Sequence, residues 1–197
     1  MVTDASRWDE KYQKSDLAGL RVEPLLEKNL GFIKNLPTDA KVVDIAAGKC
    51  HASVFLAKQG LDVTAIDCSG VGLELGMALA KEEDVSIKTL VLDLEANPLP
   101  TGSWSLICCF RYLNRALFPS IQEAIVDNGL LFFSTFNINH LKKAMILAES
   151  NNNSNKIKRK FVYAYQNLLK KLKNIKSSSI IKTDKTLLKE FLQISKE

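Results

Sequence analysis

Two aspartates, Asp44 and Asp67, stand 23 residues apart, each at the end of a short apolar run. A carboxylate in such a place accepts two hydrogen bonds from a vicinal diol, which a neutral side chain does less well. In dinucleotide-binding arrangements an acid at about that distance receives the hydroxyls of a ribose. Between the two lies Ala46-Ala47-Gly48-Lys49-Cys50, a turn opening a helix whose free N–H groups can hold a ligand carboxylate or phosphate. Asp93 closes a third run, where it can meet an adenine amino group. Taken singly, each acid is as readily a helix cap or a solvated strand end. It is their joint placement that points to a nucleoside ligand.

Other chemistries have less support. The four cysteines are Cys50, Cys68, Cys108 and Cys109, with no C-x-x-C spacing. Free thiols in a reducing cytoplasm are the simpler reading, and Cys108 and Cys109 should face opposite sides of a strand as small packing residues. No His/Cys/Asp cluster has metal-ligand spacing. His51 beside the turn and His140 further on receive no catalytic role, and no residue is assigned one. A nicotinamide-dependent oxidoreductase is disfavoured because G-x-G-x-x-G is missing.

The elements that must position these residues follow from periodicity. Residues 23–35 carry Leu25, Leu26, Leu30 and Ile33 at helical spacing, stopped before Pro37. Residues 41–46 form a first strand, and a helix with Ala52, Phe55 and Leu56 on one face stops at Gly60. A second strand runs over 61–66. Ser69 caps a helix to about Lys81, a third strand covers 86–92, and a fourth covers 104–110. Leu117 to Val126 suits a helix with Pro119 in its first turn. Asp127-Asn128-Gly129 reads as a turn, and 130–136 as a fifth strand. Strands alternating with helices predict an α/β fold: a Rossmann-like, doubly wound, mainly parallel sheet of at least five strands with helices on both faces. Ligands in such sheets bind beyond the carboxyl ends of the strands, where the strand order reverses.

The 197 residues, 46% apolar and 25% charged, suit one ordinary α/β domain and exclude a wholly disordered or disulfide-scaffold chain. No run approaches a membrane span, and the opening residues lack the apolar core of a signal peptide, so a cytoplasmic location is expected. The net charge of +5 hides an asymmetry. Residues 1–139 hold 13 basic and 18 acidic side chains, whereas residues 140–197 hold 14 and 4. The expected organisation is a binding domain over 1–139 and a basic, mostly helical appendage over 140–197. Ile157, Phe161, Tyr165, Leu168, Leu172 and Ile175 form one helical stripe in that appendage, Ser178 to Lys182 can supply a short strand, and Thr183 can cap a last helix. Without a further strand pair the fifth strand is expected to keep an open edge.

The run Val43-Asp44-Ile45-Ala46-Ala47-Gly48-Lys49-Cys50-His51-Ala52, followed by Val63-Thr64-Ala65-Ile66-Asp67-Cys68-Ser69, resembles the Rossmann-like S-adenosylmethionine-dependent methyltransferases. The likeness is nearest to the small tellurite-resistance-type methyltransferases. Asp93-Leu94-Glu95, the run from Phe110 to Arg115, Gly129-Leu130-Leu131 and the opening Trp8-Asp9-Glu10-Lys11-Tyr12 fall where that family's other segments fall. The resemblance implies that Asp44 and the backbone of Ala46, Ala47 and Gly48 hold the methionine end of the cofactor. It puts Asp67 on the ribose, Cys68, Asp93 and Leu94 around the adenine, and Phe110 near the sulfonium. Arg111 and Tyr112 would face the methyl acceptor, and Trp8 or Tyr12 would help close the site. One departure is Cys50, where the family usually has glycine. If the position needs positive φ, a cysteine costs on the order of 1 kcal/mol there, and its side chain can crowd the cofactor.

The expected function is methyl transfer from S-adenosylmethionine to a small-molecule acceptor. The alternative is a noncatalytic, methyltransferase-like binding protein whose pocket is damaged at Cys50 and whose basic tail contacts RNA.

Overall fold

The computed structural model describes residues 3–15, 19–135 and the backbone of 178–182. The sheet has six strands in the order β3-β2-β1-β4-β5-β6. They are β1 (Lys41–Ile45), β2 (Asp62–Asp67), β3 (Lys88–Val91), β4 (Trp104–Phe110), β5 (Ile125–Ser134) and β6 (Ser178–Lys182). The first five run parallel and β6 pairs antiparallel with β5. The chain builds outward from β1 to β3, then returns to lay β4 on the other side of β1. The strand order therefore reverses between β1 and β4, and the crevice belongs at their carboxyl ends.

The β-branched and apolar side chains of β1 point alternately to two faces, and both are covered. On one face Val43, Ile45, Ile107, Cys109, Leu131 and Phe133 pack against α6 (Phe118–Ala124). On the other, Val42, Val63, Leu106, Cys108 and Phe132 pack with Leu26, Ile33, Ala52 and Leu56 of α2 (Pro24–Glu27), α3 (Leu30–Lys34) and α4 (His51–Ala57). Cys108 and Cys109 thus face opposite sides, as adjacent strand residues must. Ala65, Cys50, Val54, Leu73 and Leu79 fill the space between α4 and α5 (Gly70–Glu82). An N-terminal helix α1 (Asp4–Gln13) has no fully buried residue and docks on α5.

Several boundaries differ from expectation. The helix expected over 23–35 is two short helices, because the Asn29 amide donates to the Leu25 carbonyl (2.8 Å) and its backbone leaves helical geometry. The helix before β5 ends at Ala124. The expected turn at Asp127-Asn128-Gly129 is an irregularity inside β5: Asn128 sits at φ +60°, and the register shifts between the pairs Trp104–Ile125 and Leu106–Leu130. Strand β3 is shorter than expected. The fifth strand's edge is not open, since Ser178–Lys182 covers it. The helical stripe from Ile157 to Ile175, the cap at Thr183, His140 and the end of the expected fifth strand lie outside the described residues.

Candidate functional site

At the tip of β1 the Asp44 carboxylate is buried, 2% exposed, and accepts a hydrogen bond from the Ser53 hydroxyl (2.6 Å). Burial pushes its carboxyl up to about 7; the Ser53 hydrogen bond opposes that rise and the charge of Asp67 adds to it. Beyond β1 the backbone alternates into the left-handed region at Ala46 (φ +55°), Gly48 (+56°) and Cys50 (+57°). This winding brings the Gly48 N–H to the Asp67 carboxylate (2.7 Å). Gly48 suits its place on two counts. Its conformation disfavours a side chain, and a Cβ there would lie 2.6 Å from the Tyr12 hydroxyl oxygen.

At the tip of β2 the Asp67 carboxylate accepts from the Gly48 and Ser69 N–H groups, the latter at 2.8 Å. Each oxygen keeps a further lone pair for a ligand hydroxyl. Ser69 caps α5 as expected, its hydroxyl oxygen accepting from Gly72 N–H (3.0 Å). Burial and the charges of Asp67 and Asp93 push the half-buried Cys68 thiol up to about 11, so it is protonated at neutral pH. At the tip of β3 the Asp93 carboxylate accepts from Glu95 N–H (2.9 Å) and Leu94 is buried. The Asn114 amide donates to the Leu94 carbonyl (2.8 Å), which ties the β3 and β4 tips together.

After β4, Phe110 is buried and Arg111 adopts φ +59° with its N–H on the Ser134 carbonyl (2.6 Å). The Arg111 guanidinium pairs with Glu23 (3.3 Å), and the Tyr112 hydroxyl donates to Glu95 (3.3 Å). Burial pushes the Tyr112 hydroxyl well up from its ordinary value. Helix α1 closes the remaining side. Trp8 and Tyr12 stack with centroids 5.6 Å apart, and the Tyr12 ring lies against both Gly48 and Gly72. The Asp9 carboxylate accepts from the Ser69 hydroxyl (2.5 Å), fixing α1 to the start of α5.

Asp44, Ala46, Ala47, Gly48, Asp67, Cys68, Asp93, Leu94, Phe110, Arg111 and Tyr112 all line one open cleft of about 750 Å³, with Trp8 and Tyr12 at its side. That is enough room for a nucleoside with an amino-acid arm and a second small molecule. The crowding expected from Cys50 does not occur. Its positive φ is real, but its fully buried side chain packs beneath α5, where a Cβ on Gly76 would come within 2.3 Å of its sulfur. The missing side chain of Gly76 makes the room that Cys50 takes.

The wall formed by Arg21 to Pro24, together with His51, was not anticipated. His51 Nδ1 accepts the Arg21 N–H (3.2 Å), and burial with the nearby cations Lys49, Arg21 and Arg111 holds the ring below its ordinary pKa. A neutral ring accepting at Nδ1 carries its proton on Nε2, so it presents a donor to the cleft rather than a base. These contacts join residues 30 and 88 positions apart, and no local spacing announces them. Among the described residues no group of three His, Cys, Asp or Glu side chains is placed to hold a metal ion, and no helix is long and apolar enough to cross a membrane.

Carboxylates at successive strand tips, a glycine turn and a capped helix at the strand-order reversal define the site geometrically. Residues 42–129 match the methyltransferase domain family model. The matched span runs from β1 into β5. Among curated proteins, the ubiquinone biosynthesis O-methyltransferase of Rickettsia canadensis (strain McKiel) is 29% identical over 138 residues, covering 65% of this chain and 55% of that protein. The protein of the same name from Colwellia psychrerythraea (strain 34H / ATCC BAA-681) is 32% identical over 124 residues, covering 60% and 48%. The chain spans about half the length of the curated relatives it matches. The crystal structure of the PH0226 protein from Pyrococcus horikoshii OT3 superposes with a TM-score of 0.50 at 17% identity, over 64% of this chain and 59% of that one. The fold is the Rossmann-like methyltransferase fold. These relatives bear ubiquinone-biosynthesis names, so they carry the resemblance to the methyltransferase domain and not its narrower, tellurite-resistance-type form.

Proposed function

We propose that this chain binds S-adenosylmethionine in the cleft and directs its methyl group to an oxygen atom of a small-molecule acceptor. The observation that carries the proposal is the convergence of Asp44, Asp67 and the Gly48 turn on one crevice at the β1/β4 reversal. The residues present fit that ligand. Asp44 offers a buried carboxylate to an ammonium, Asp67 keeps lone pairs for a ribose diol, and the Gly48 turn runs beside both along the cleft wall. Cys68, Asp93 and Leu94 border the adenine in this reading. Phe110 lines the reaction centre, and Arg111 and Tyr112 face the acceptor. The O-methyltransferase names of the curated relatives favour an oxygen acceptor.

When bound, the cofactor supplies a methyl group on a sulfonium, an intrinsically good leaving group. The protein's part is then alignment and exclusion of water. Asp44 and Asp67 fix the two ends of the ligand, α1 covers the Gly48 turn through Tyr12, and Phe110 keeps the centre apolar. Isothermal titration with S-adenosylhomocysteine tests the proposal. Saturable one-site binding that is lost in Asp67→Ala is expected, and no binding by the unaltered chain overturns it. The alternative of a damaged, noncatalytic pocket rested on Cys50 crowding the cofactor, and Cys50 packs away from the cleft. The tail on which RNA contact depended lies outside the described residues, apart from β6.

A further inference from the structure

Arg111 stands just past the end of β4, in a backbone conformation that favours glycine. A non-glycine residue in the left-handed region costs on the order of 1 kcal/mol, yet Arg111 sits at φ +59° with its N–H clamped on the Ser134 carbonyl (2.6 Å). Such strain at the rim of a cleft is a reason to look for a function. Its guanidinium is 65% exposed and meets Glu23 at 3.3 Å, its one ion-pair partner among the described residues. A guanidinium is a planar fork suited to two parallel bonds with a carboxylate or phosphate. The contact with Glu23 is looser than that. Glu23 itself is 18% exposed and belongs to the Arg21–Pro24 wall, which His51 holds from the other side through the Arg21 N–H. Arg111 shares the cleft wall with Asp44, Tyr12 and His51, and its charge favours the Asp44 carboxylate.

We propose that Arg111 anchors an anionic oxygen group, a carboxylate or phosphate, carried by a ligand in this cleft, and that Glu23 is the resting counter-ion which that group displaces. The inference rests on the reading that the cleft binds S-adenosylmethionine and an acceptor. The anion has two possible sources, the α-carboxylate of the cofactor's amino-acid arm or an acid group on the acceptor. The chemistry is the same: one carboxylate leaves the fork and another enters it, without net change in ion pairing. Exchange explains why the pair is loose and why the backbone is strained to hold one member in place.

Titration calorimetry on the full chain separates the cases with two matched probe pairs. S-adenosylhomocysteine is compared with methylthioadenosine, which lacks the amino-acid arm; benzoate is compared with benzamide on protein saturated with S-adenosylhomocysteine. Glu23→Gln removes the competitor and should tighten the carboxylate-bearing probe about threefold or more. Arg111→Met should weaken it about tenfold, the loss of one charge-assisted anchor. Arg111→Gly, whose backbone is at ease at φ +59°, should weaken it equally, which separates the lost guanidinium from altered backbone strain. A response confined to the S-adenosylhomocysteine pair assigns the anion to the cofactor, and one confined to the benzoate pair assigns it to the acceptor; either supports the anchor. If S-adenosylhomocysteine binds but neither acid probe responds to these substitutions, the anchor is overturned and the methyltransferase reading stands. If neither adenosine probe binds, both fall.

Discussion

The tips of β1 and β2 look alike in the chain, each ending on an aspartate before a turn into a helix, but they are built differently. Asp67 is held by two backbone N–H groups and is wired into both turns. Asp44 is held by the hydroxyl and the backbone N–H of one residue, Ser53, in a nearly solvent-free position. The turn after β2 is a relaxed capped helix start, whereas the turn after β1 passes through three left-handed residues and depends on glycines from elsewhere. The β2 tip is therefore preorganised without ligand, while in the proposed reading the β1 tip is completed by what it binds: a buried carboxylate, held from one residue, would take a ligand ammonium.

The sharpest test removes the preorganised acid. Asp67→Ala deletes the acceptor of the Gly48 and Ser69 N–H groups together with the proposed ribose contacts. Two charge-assisted bonds of about 1.5–3 kcal/mol each imply at least about 100-fold weaker S-adenosylhomocysteine binding, read by calorimetry. A loss of less than tenfold would mean that the β2 tip does not organise the site.

The next effect lies at the β1 turn. Gly76→Ala drives a methyl into Cys50 at the α4–α5 contact, and overpacking of this kind costs about 2 kcal/mol. Urea unfolding should show that loss, and Cys50→Gly in the same chain should return most of it, because a Cβ on Gly76 would meet the Cys50 Cβ (2.6 Å) as well as its sulfur; a double-mutant cycle measures that coupling directly. Full additivity would show that the two positions do not share one space.

A graded effect at the β1 acid is read by pH. Asp44 titrates near 3.8 in the unfolded chain and near 7 in the folded one. Between these values the folded state keeps a proton that the unfolded state has lost. The stability that Asp44 contributes to the ligand-free protein should therefore be fully present below about 4, fall as pH rises through the window and level off above about 7, by at most about 1.4 kcal/mol per pH unit. Asp44→Asn should flatten that slope, as followed by denaturation midpoints across pH. An ammonium beside Asp44 stabilises the carboxylate, so S-adenosylhomocysteine affinity should rise with pH up to about 7 and release protons below it. A slope that survives Asp44→Asn would assign the titration to another group.

What could be read in the sequence was local. A continuous apolar run marked the limits of β4, a serine before a helical run marked the Ser69 cap, and an acid closing each of the first three runs marked the tips of β1, β2 and β3. What escaped depended on partners distant in the chain. The break between α2 and α3 comes from one Asn29 amide bond. The irregular start of β5 reflects pairing with β4 overriding an Asn-Gly signal that ordinarily marks a turn. The Arg21–Pro24 wall depends on His51 and Arg111, and nothing in its own residues marks it as part of a site. The same gap explains Cys50. The sequence shows a side chain where the family it resembles usually has glycine, but the room for that side chain depends on Gly76, which lies in an unremarkable stretch of α5.

Cys50 therefore yields the smallest predicted effect. If its side chain faced the ligand, Cys50→Gly would open the pocket and raise cofactor affinity strongly. With the sulfur beneath α5, three modest changes nearly cancel. Relief of the left-handed conformation gains about 1 kcal/mol. Loss of a buried small side chain beside Gly76 costs about as much, and the extra freedom of glycine in the unfolded chain costs about 0.5–1 kcal/mol more. The variant should be destabilised by less than about 1 kcal/mol, and its S-adenosylhomocysteine affinity should stay within about twofold of the unaltered chain because no atom lining the cleft has changed. A tenfold gain in affinity would place the thiol in the ligand's path after all, and with it would go the contrast between a β1 tip completed by its ligand and a β2 tip ready beforehand.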